Sequence, residues 1–304
     1  QRSNLTSNDV TAVAVVIFEA FAGMWINAFI VSVISMAWIQ KKTLNSNEKI
    51  LLFLGCSRFW YLCIGWVYYF LSIIYPNYLY VHPIFPLIES VQSFLNCSNF
   101  WVSTCLCVFY CIKIANFRNR FFIYLKVKID RIVPWLLLGS MLFSLVVGIV
   151  VYKLADKALY KKLNNTCQES IQKASTRVEV HFLPNYFIIG FLFGTSFIAV
   201  ISSALLLLFS LWRHKRNMQT NSMKDLSVNA HIKAMKSVLS FLVIYNIDFV
   251  CFILTLVYAA KGEITVMFLI EVFLYAFPGL HSLVLIYSNP KLEKTMLRIL
   301  PCVK

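Results

Sequence analysis

Long apolar runs separated by short polar breaks fill the sequence from residue 11 to residue 288. A helix that crosses about 30 Å of hydrocarbon at 1.5 Å per residue needs about 20 mostly apolar residues. Seven runs reach this length, and none alternates between apolar and polar residues as a half-buried strand does. The pattern therefore predicts an all-α integral membrane bundle with seven spans, at about 11–40, 48–74, 84–112, 131–152, 183–212, 234–260 and 264–288.

The segment that follows the seventh span has a different, amphipathic pattern. Pro290 favours the start of a new helix, and apolar residues then recur on one face, at Leu292, Met296, Leu297 and Leu300. Such a helix is expected to lie on the membrane surface. The predicted organisation is an N-terminal segment at 1–10, a seven-span domain at 11–288, and a short amphipathic helix with a tail at 289–304.

The composition is typical of a membrane protein and excludes several other classes. Hydrophobic residues make up 60% of the 304 positions, and charged residues make up 13%. A soluble domain has about 25% charged residues, which is about twice the fraction found here. A disordered chain contains far fewer apolar residues than this one. The net charge of +15 alone would suggest a polyanion-binding protein. With this composition we instead expect membrane lipid, and no nucleic acid, as a partner.

The basic residues are concentrated on one predicted side of the membrane. Of the 28 Lys and Arg residues, 19 fall on the side of the C-terminus and 8 on the side of the N-terminus. Basic segments tend to stay in the cytoplasm. The N-terminus is therefore predicted to be extracellular and the C-terminus cytoplasmic, in a multi-pass protein of the plasma membrane. Sequons on the predicted outer side make Asn164 and Asn4 candidate glycosylation sites.

Five ionisable side chains fall inside the predicted spans, at Glu19, Arg58, Glu89, Asp248 and Glu271. A charge at the centre of a span costs at least about 2.5–3.5 kcal/mol on insertion, so such residues mark functional sites or structural pairs. For Glu19 and Arg58 we favour a structural role as polar contacts between helices, together with Asn27.

Helical spacing places the other three acids on polar stripes in the predicted outer half of the membrane. Residues at i, i+3 or i+4, and i+7 share one face of a helix. The stripes are Glu89, Gln92 and Asn96 on the third span, Tyr245, Asp248 and Phe252 on the sixth, and Glu271, Tyr275 and Pro278 on the seventh. If they face one another, they form an acidic, aromatic-lined pocket that suits amines and other cations. The alternative is that these acids are protonated or bonded to neighbouring helices.

The chain lacks the residue patterns of the common membrane enzymes. Its five His residues are not spaced as H-x-x-x-H, and none pairs with a nearby Cys as a metal box. There is also no P-loop, G-x-S-x-G or Gly-rich phosphate cradle. We therefore expect no enzymatic activity, no catalytic or metal site, and no cofactor.

Several segments of the chain are distinctive in combination. They are Glu19 with Asn27, LGCSR at 54–58, WVSTCLCVFYCIKIANF at 101–117, PWLLLGS at 134–140, LLLLFSLWRHKRNMQ at 205–219, AHIKAMKSVLSFLVIY at 230–245 and HSLVLIYSNPKL at 281–292. Together they resemble, over nearly the whole length, the bitter taste receptors, which are the type 2 taste receptor family of G-protein-coupled receptors. Phe109 and Tyr110 stand in the place of the Asp-Arg-Tyr motif of rhodopsin-like receptors, and His281 and Ser282 in that of the Asn-Pro-x-x-Tyr motif.

The resemblance implies an outer pocket formed mainly by the third, fifth, sixth and seventh spans. In that pocket Asn96 matches a recurrent Asn, Glu271 matches an agonist-contacting acid, and Tyr245 matches the aromatic floor. Gln92 stands where a ligand-contacting Trp is frequent, so this chain lacks a stacking platform at that position. The resemblance also implies a structural polar core and a glycosylated second outer loop, with matches at Asn27, Arg58 and His281 for the core and at Asn164 for the loop.

The implied function is reception of bitter small molecules, with a heterotrimeric G protein of the taste (gustducin or Gi-like) type as the inner partner. Candidate coupling residues at the inner ends of the third, fifth and sixth spans are Tyr110, Lys113, His214, Lys215, His231 and Lys236. A basic face towards anionic lipid is the alternative role of the individual lysines. The alternative function is a transporter or channel that uses the intramembrane acids Glu89, Asp248 and Glu271.

Overall fold

The computed structural model describes residues 7–115, 119–165, 194–210, 212, 239–240, 242–251, 253–255, 257 and 264–299. The helices are α1 (Ser7–Lys41), α2 (Ser46–Ile74), α3 (Ile84–Ile114), α4 (Arg120–Asn165), α5 (Gly194–Ser210), α6 (Leu242–Thr255), α7 (Ile264–Ser288) and α8 (Pro290–Ile299). A single helical turn, Pro76–Leu79, connects α2 to α3. No strand occurs within the described ranges. The predicted all-α architecture is therefore confirmed.

In the described part of the chain, five helices are long and apolar enough to cross a membrane, namely α1, α2, α3, α4 and α7. The helices α5 and α6 are shorter apolar helices within the fifth and sixth predicted spans. The fourth predicted span, 131–152, forms the middle of α4, which has 46 residues. At 1.5 Å per residue α4 is about 69 Å long. It therefore extends well beyond a hydrocarbon layer of about 30 Å.

The outward-facing surface of the bundle is apolar along its helices. Phe18 and Trp25 of α1 are 73% and 76% exposed, and Trp135 of α4 is 73% exposed. Large exposed hydrophobic side chains also occur on α2, α3, α5, α6 and α7. A soluble monomer rarely exposes such a large apolar surface to water, whereas lipid tails cover it readily. This surface is therefore the one that faces lipid.

Helix α3 lies at the centre of the bundle. Towards the end of the bundle that carries α8 (the α8 end), Val102 and Leu106 of α3 are buried against α1, α2, α4 and α7. On another face, Phe100 of α3 packs with Val200 of α5 and Tyr245 of α6. Because α3 contacts so many of its neighbours, its polar positions are enclosed between helices rather than exposed to lipid.

Two glycines let α1 and α7 approach closely. A Cβ atom added to Gly279 would lie 3.3 Å from the Cα atom of Gly23. Small residues at such contacts allow close van der Waals packing, which is what holds helices together where lipid removes the hydrophobic driving force. The contact sets the distance between α1 and the following part of α7, which carries His281 and Ser282.

Helix α8 docks on the bundle through apolar and charged side chains. Oδ1 of Asn289 caps its first turn by accepting the backbone N–H groups of Lys291 at 3.0 Å and Leu292 at 3.4 Å. Nζ of Lys291 lies 2.6 Å from Oε1 of Glu48. Oε2 of Glu48 in turn accepts the backbone N–H of Asn45 at 3.1 Å. One carboxylate therefore caps α2 and holds α8.

Some of the apolar residues of α8 are buried against the bundle, and others are exposed. Leu292 is 1% exposed and packs in the core, where Met296 joins it one turn later. Leu297 is 56% exposed, because it lies one position beyond the face that meets the bundle. Leu300, which the sequence places on the same face, lies outside the described residues.

We expect Leu292→Ala to destabilise the protein by about 2–5 kcal/mol, the usual cost of truncating a fully buried Leu. Leu297→Ala is the matched control, because it removes the same atoms from the exposed face of the same helix. Its expected effect is within about 0.5 kcal/mol. Thermal unfolding of the purified protein in detergent micelles measures both changes. Equal losses from the two substitutions would contradict the docking of α8 through Leu292.

Candidate functional site

A buried arginine lies among the polar residues of the bundle. Arg58 of α2 is 3% exposed. Its guanidinium donates to Oγ of Ser282 at 3.0 Å and to Oγ of Ser103 at 3.2 Å, and it contacts Nδ1 of His281. A buried charge depends on such bonds because it has lost its hydration. The three acceptors hold α3 and α7 around α2.

This network continues from α7 to α1. Oγ of Ser282 donates to Oδ1 of Asn27 at 2.7 Å, and Nδ2 of Asn27 donates to the carbonyl oxygen of Gly23 at 2.8 Å. The structure thus brings together Asn27, Arg58 and His281, the residues for which the sequence analysis suggested a structural polar core. The bonds connect four helices, α1, α2, α3 and α7.

Glu19, the fourth residue assigned to that core, does not join the network. It is half-buried on α1. Among the described residues, its Oε2 atom is buried without a hydrogen-bond partner. Glu19 lies eight residues, or more than two helical turns, before Asn27. Its depth therefore separates it from Arg58.

A narrow cavity adjoins the network on the side of α6. Its free volume is about 30 Å³, which is room for about two water molecules. Arg58 of α2 and Asp248 of α6 line it from different helices, together with Asn96 of α3 and Tyr245 of α6. Three of the residues predicted to bind ligand, Asn96, Tyr245 and Asp248, therefore share one cavity.

Tyr245 connects α6 with α3 and α5. Its OH lies 3.2 Å from Oγ of Ser196 and 3.5 Å from Oγ1 of Thr104. Its ring meets that of Phe100 edge to face at 5.5 Å between centroids, and it stacks on Phe197 at 6.4 Å. A displacement of α6 would therefore change contacts on both neighbouring helices.

Farther from the α8 end, tyrosines of α2 and α7 form a second polar group. Tyr69 donates a hydrogen bond to Oε2 of Glu271, and Nε2 of Gln92 donates to the OH of Tyr275 at 2.8 Å. The Tyr275 ring stacks on Tyr61 at 5.8 Å and meets Tyr69 edge to face at 5.7 Å. We call Tyr61, Tyr69 and Tyr275 the tyrosine cluster. It brings the predicted residues Gln92, Glu271 and Tyr275 together.

The three acids of the predicted pocket occupy different surroundings. Asp248 lines the cavity with Arg58, whereas Glu271 is bonded to Tyr69 in the tyrosine cluster. Glu89, near the start of α3, is half-buried. No hydrogen bond or ion pair joins Glu89 to another described residue. The candidate site therefore has a deep part around Asp248 and a shallower part around Glu89 and Glu271.

Helix α2 contributes residues that the sequence stripes did not include. Arg58, Tyr61, Gly65 and Tyr69 recur at i, i+3, i+7 and i+11, which is one face of a helix. The spacing rule that found the stripes on the third, sixth and seventh spans also finds this one when it is applied to the second span around Arg58. On α3 the same rule extends the stripe from Asn96 to Asn99 and Ser103, both of which line the cavity.

At the α8 end, two of the predicted coupling residues are described. Nζ of Lys113 lies 2.6 Å from Oδ2 of Asp130 and 5.9 Å from the centroid of the Phe109 ring. The ion pair joins the end of α3 to α4. Tyr110 is partly buried against the core.

The other predicted site residues lie wholly or partly outside the described part of the chain. Phe252, His214, Lys215, His231, Lys236 and Asn4 lie outside the described residues. The backbone of Asn164 forms part of the last turn of α4, and its side chain lies outside the described ones. Within the described ranges, no group of three or more His, Cys, Asp or Glu side chains could hold a metal ion.

Gly65 leaves room for the Tyr275 ring, because a Cβ atom at this position would overlap that ring. We expect Gly65→Ala to displace the ring, to break its bond to Gln92 and to destabilise the protein by about 1–3 kcal/mol, as overpacking does. Thermal unfolding in detergent micelles measures the effect.

Gly139→Ala is the control for this substitution. No described atom lies within 4 Å of a Cβ added to Gly139, and Ala favours a helix by about 0.5–1 kcal/mol over Gly. The control is therefore expected to be neutral or stabilising. A Gly65→Ala variant as stable as Gly139→Ala would contradict the position of Tyr275.

Known proteins resemble this chain over nearly its whole length. The sequence matches the taste receptor protein (TAS2R) family over residues 5–304. It is 31% identical over 303 residues to taste receptor type 2 member 7 of Macaca mulatta, an alignment that covers 95% of this chain and 92% of the relative. It is 33% identical over 289 residues to taste receptor type 2 member 41 of Mus musculus, with 92% of each protein covered. Identity to taste receptor type 2 member 40 of Gallus gallus is 34% over 293 residues, with 94% and 93% covered. The chain therefore belongs to the type 2 taste receptor family, and it is a multi-pass, seven-helix membrane receptor rather than an enzyme.

Proposed function

We propose that this chain is a G-protein-coupled chemosensory receptor that binds bitter small molecules and activates a heterotrimeric G protein. The polar cavity between α2, α3, α6 and α7, in a member of a taste receptor family, carries this proposal. Small ligands usually bind in pockets between helices, where a few polar groups converge. The proposed agonist contacts are Glu89, Gln92, Asn96, Tyr245, Asp248, Phe252, Glu271 and Tyr275.

The proposed topology has residues 1–10 outside the cell and residues 289–304 in the cytoplasm, with the receptor in the plasma membrane. The excess of basic residues on the side of the C-terminus supports this orientation, since 19 of the 28 Lys and Arg residues lie there. In this topology Glu89 and the tyrosine cluster lie towards the outside, where an agonist arrives. Asn164 and Asn4 are proposed glycosylation sites on the same side.

We further propose that the preferred agonists carry an ammonium or another cationic group. A carboxylate in a partly desolvated site pairs strongly with such a group, and the faces of tyrosine rings attract cations. Glu89 and Glu271 are expected to repel each other when both carboxyl groups are ionised. A cation bound between them would offset the repulsion of two ionised acids.

In the proposed mechanism, the agonist shifts an equilibrium between two arrangements of the helices. It does so only by the difference in its affinity for the two arrangements. The cavity has room for about two water molecules, so an agonist group that reaches Asp248 has to move α6. Tyr245 lies three residues before Asp248 on the same helix. Through Thr104 and Ser196 it would transmit this movement to α3 and α5.

We expect Glu271→Gln and Glu89→Gln to raise the half-maximal concentration of an amine agonist by about tenfold or more, since 1.4 kcal/mol of lost pairing corresponds to tenfold. Asp248→Asn is expected to act in the same direction for agonists that reach the deep part. Agonist-dependent nucleotide exchange on a reconstituted G protein measures these responses. An uncharged analogue of the same agonist should have the same half-maximal concentration on each variant as on the unmodified receptor.

Asp156→Asn is the matched control for the loss of one acidic charge. Asp156 lies on the proposed outer side, where its Oδ1 atom is 3.1 Å from Nε2 of His82. It does not line the cavity. If cationic agonists keep full potency in both Glu271→Gln and Asp248→Asn, the proposed preference for cations is wrong.

The proposed coupling face for the G protein, of the gustducin or Gi-like type, consists of Tyr110, Lys113, His214, Lys215, His231 and Lys236. We expect Lys113→Met to reduce nucleotide exchange at saturating agonist without changing agonist affinity, because the substitution removes a charge from the cytoplasmic end of α3. Lys126→Met is the control, because it removes the same charge from a residue of α4 that is not part of the proposed coupling face. Nζ of Lys126 donates to the carbonyl oxygen of Ala115 at 3.2 Å. Unchanged exchange in Lys113→Met would remove Lys113 from the coupling face.

A transporter or channel is the second candidate function, because Glu89, Asp248 and Glu271 are acids within predicted membrane spans, and such acids also serve as ion or proton sites. Reconstitution into lipid vesicles distinguishes the two functions. A receptor stimulates nucleotide exchange on an added G protein and leaves the ion gradient intact. Ion flux that does not require a G protein, with no stimulated exchange, would overturn the proposed receptor function.

A further inference from the structure

We propose that the cavity between Arg58 and Asp248 is an internal hydration site. About two ordered water molecules link the guanidinium to the carboxylate there and make Asp248 the counter-ion of Arg58. In the proposed function Asp248 contacts the agonist, whereas this site exists in the agonist-free protein. It ties α6 to α2 in the resting arrangement.

The charge of Arg58 requires a counter-ion that its hydrogen-bond partners do not supply. Ser103, Ser282 and His281 accept from it as hydroxyl or imidazole groups, and none of them is an acid. A buried charge without an opposite charge is strongly destabilising. Asp248 is the acid among the described residues that line the cavity. The two groups also act on each other electrostatically.

The two charged groups do not touch each other. Both side chains are among the described residues, and no ion pair within 4.0 Å joins them. A guanidinium has five N–H donors, and the partners named above do not use all of them. Both groups line the cavity. Water molecules that occupy the cavity can therefore join the remaining donors of Arg58 to the carboxylate oxygens of Asp248.

A second buried donor points to an occupant. Asn99 of α3 is 8% exposed and lines the same cavity. Its Oδ1 accepts a hydrogen bond from Ser57, but its Nδ2 is buried without a partner among the described residues. An unsatisfied buried amide costs free energy that one hydrogen bond to water recovers. The occupant therefore has to accept from Asn99 and Arg58 and donate to Asp248, which water does.

The size and the net charge of the site also favour water over an ion. A free volume of about 30 Å³ holds about two waters, and buried waters make about three hydrogen bonds each to polar walls such as these. The charges of Arg58 and Asp248 cancel. An anion beside Arg58 would lie close to the carboxylate of Asp248, and a cation beside Asp248 would lie close to the guanidinium. Either ion would be repelled across a narrow space.

This arrangement gives Asp248 a role in keeping the resting state. The waters connect α6, through Asp248, with the network of Arg58, His281 and Ser282. An agonist group that binds Asp248 has to displace these waters and their hydrogen bonds. It would thereby release α6 from α2, so loss of the link alone is expected to raise basal activity.

The first experiment detects the waters directly, by X-ray radiolytic hydroxyl-radical footprinting of the agonist-free receptor in lipid nanodiscs. Ordered water generates radicals where it is bound. Phe100, which lines the cavity and is 2% exposed, should therefore be labelled several-fold faster than Phe109. Phe109 is the matched control, because it has the same ring, is 6% exposed and lies in an apolar cluster. Equal labelling of the two rings would overturn the proposal.

The second experiment tests Asp248 as the counter-ion. Asp248→Asn keeps the shape of the side chain and removes its charge, so we expect the unfolding temperature of the agonist-free receptor to fall by several degrees and basal nucleotide exchange to rise. Glu19→Gln is the control, since Glu19 is also an acid within a predicted span but does not line the cavity. The same fall in both variants, with no rise in basal exchange, would contradict the proposal.

A double-mutant cycle tests the link to Arg58. If Asp248 is the counter-ion of Arg58, the double variant Asp248→Asn/Arg58→Gln shows a smaller decrease in unfolding temperature than the sum of the decreases in the two single variants. If Arg58→Gln does not fold, footprinting of the unmodified receptor still tests whether the cavity holds ordered water. Replacement of chloride by gluconate should leave the unfolding temperature unchanged. A large change would show that the occupant is an anion and not water.

All of these measurements are made without agonist. Failure of amine agonists to depend on Glu271 or Asp248 would overturn the proposed ligand class and leave the hydration site intact. Conversely, labelling of the cavity-lining Phe100 ring no faster than that of Phe109 would overturn the hydration site. The proposed receptor function would not be affected.

Discussion

The burial of one positive charge constrains most of the helix bundle. Arg58 is 3% exposed, and a guanidinium in that position depends on acceptors that replace its water. Those acceptors come from α3 and α7, and the chain of hydrogen bonds that begins at Arg58 ends on α1 at Asn27. Four helices therefore have to keep one rotation and one depth relative to each other. Apolar packing alone imposes no such requirement, because many rotations of an apolar helix bury similar areas.

The two polar parts of the candidate site meet at Tyr61. This residue lines the cavity with Arg58 and Asp248, and its ring stacks on Tyr275 of the tyrosine cluster. A ligand held near Glu89 and Glu271 would therefore be one aromatic ring away from the deep cavity. Tyr245 has the corresponding position on the side of α5 and α6, where it contacts Phe100 and Phe197. Ring contacts of Tyr61 and Tyr245 therefore join the helices that carry the polar groups.

Much of this arrangement follows from local patterns. Apolar runs of about 20 residues are enough to predict membrane-length helices, and helical spacing placed Gln92 with Glu89 and Tyr275 with Glu271. The same spacing did not reveal that Gln92 and Tyr275 bond to each other, or that Tyr69 of α2 bonds to Glu271. Spacing along one helix shows which residues share a face. It contains no information about which other helix meets that face.

The sequence by itself determined the helical class, the location of the five membrane-length helices in the described part of the chain and the membership of the type 2 taste receptor family. Apolar length and family motifs are local properties of the chain. Only the tertiary structure decided how the charged and polar residues are paired. Glu48 and Lys291, 243 residues apart, form an ion pair, and Asp248 lies with Arg58 rather than with Glu271. Such contacts depend on the relative rotation and depth of whole helices. These are set by the hydrogen bonds of Arg58 together with close backbone contacts, such as the one between α1 and α7 at Gly23 and Gly279.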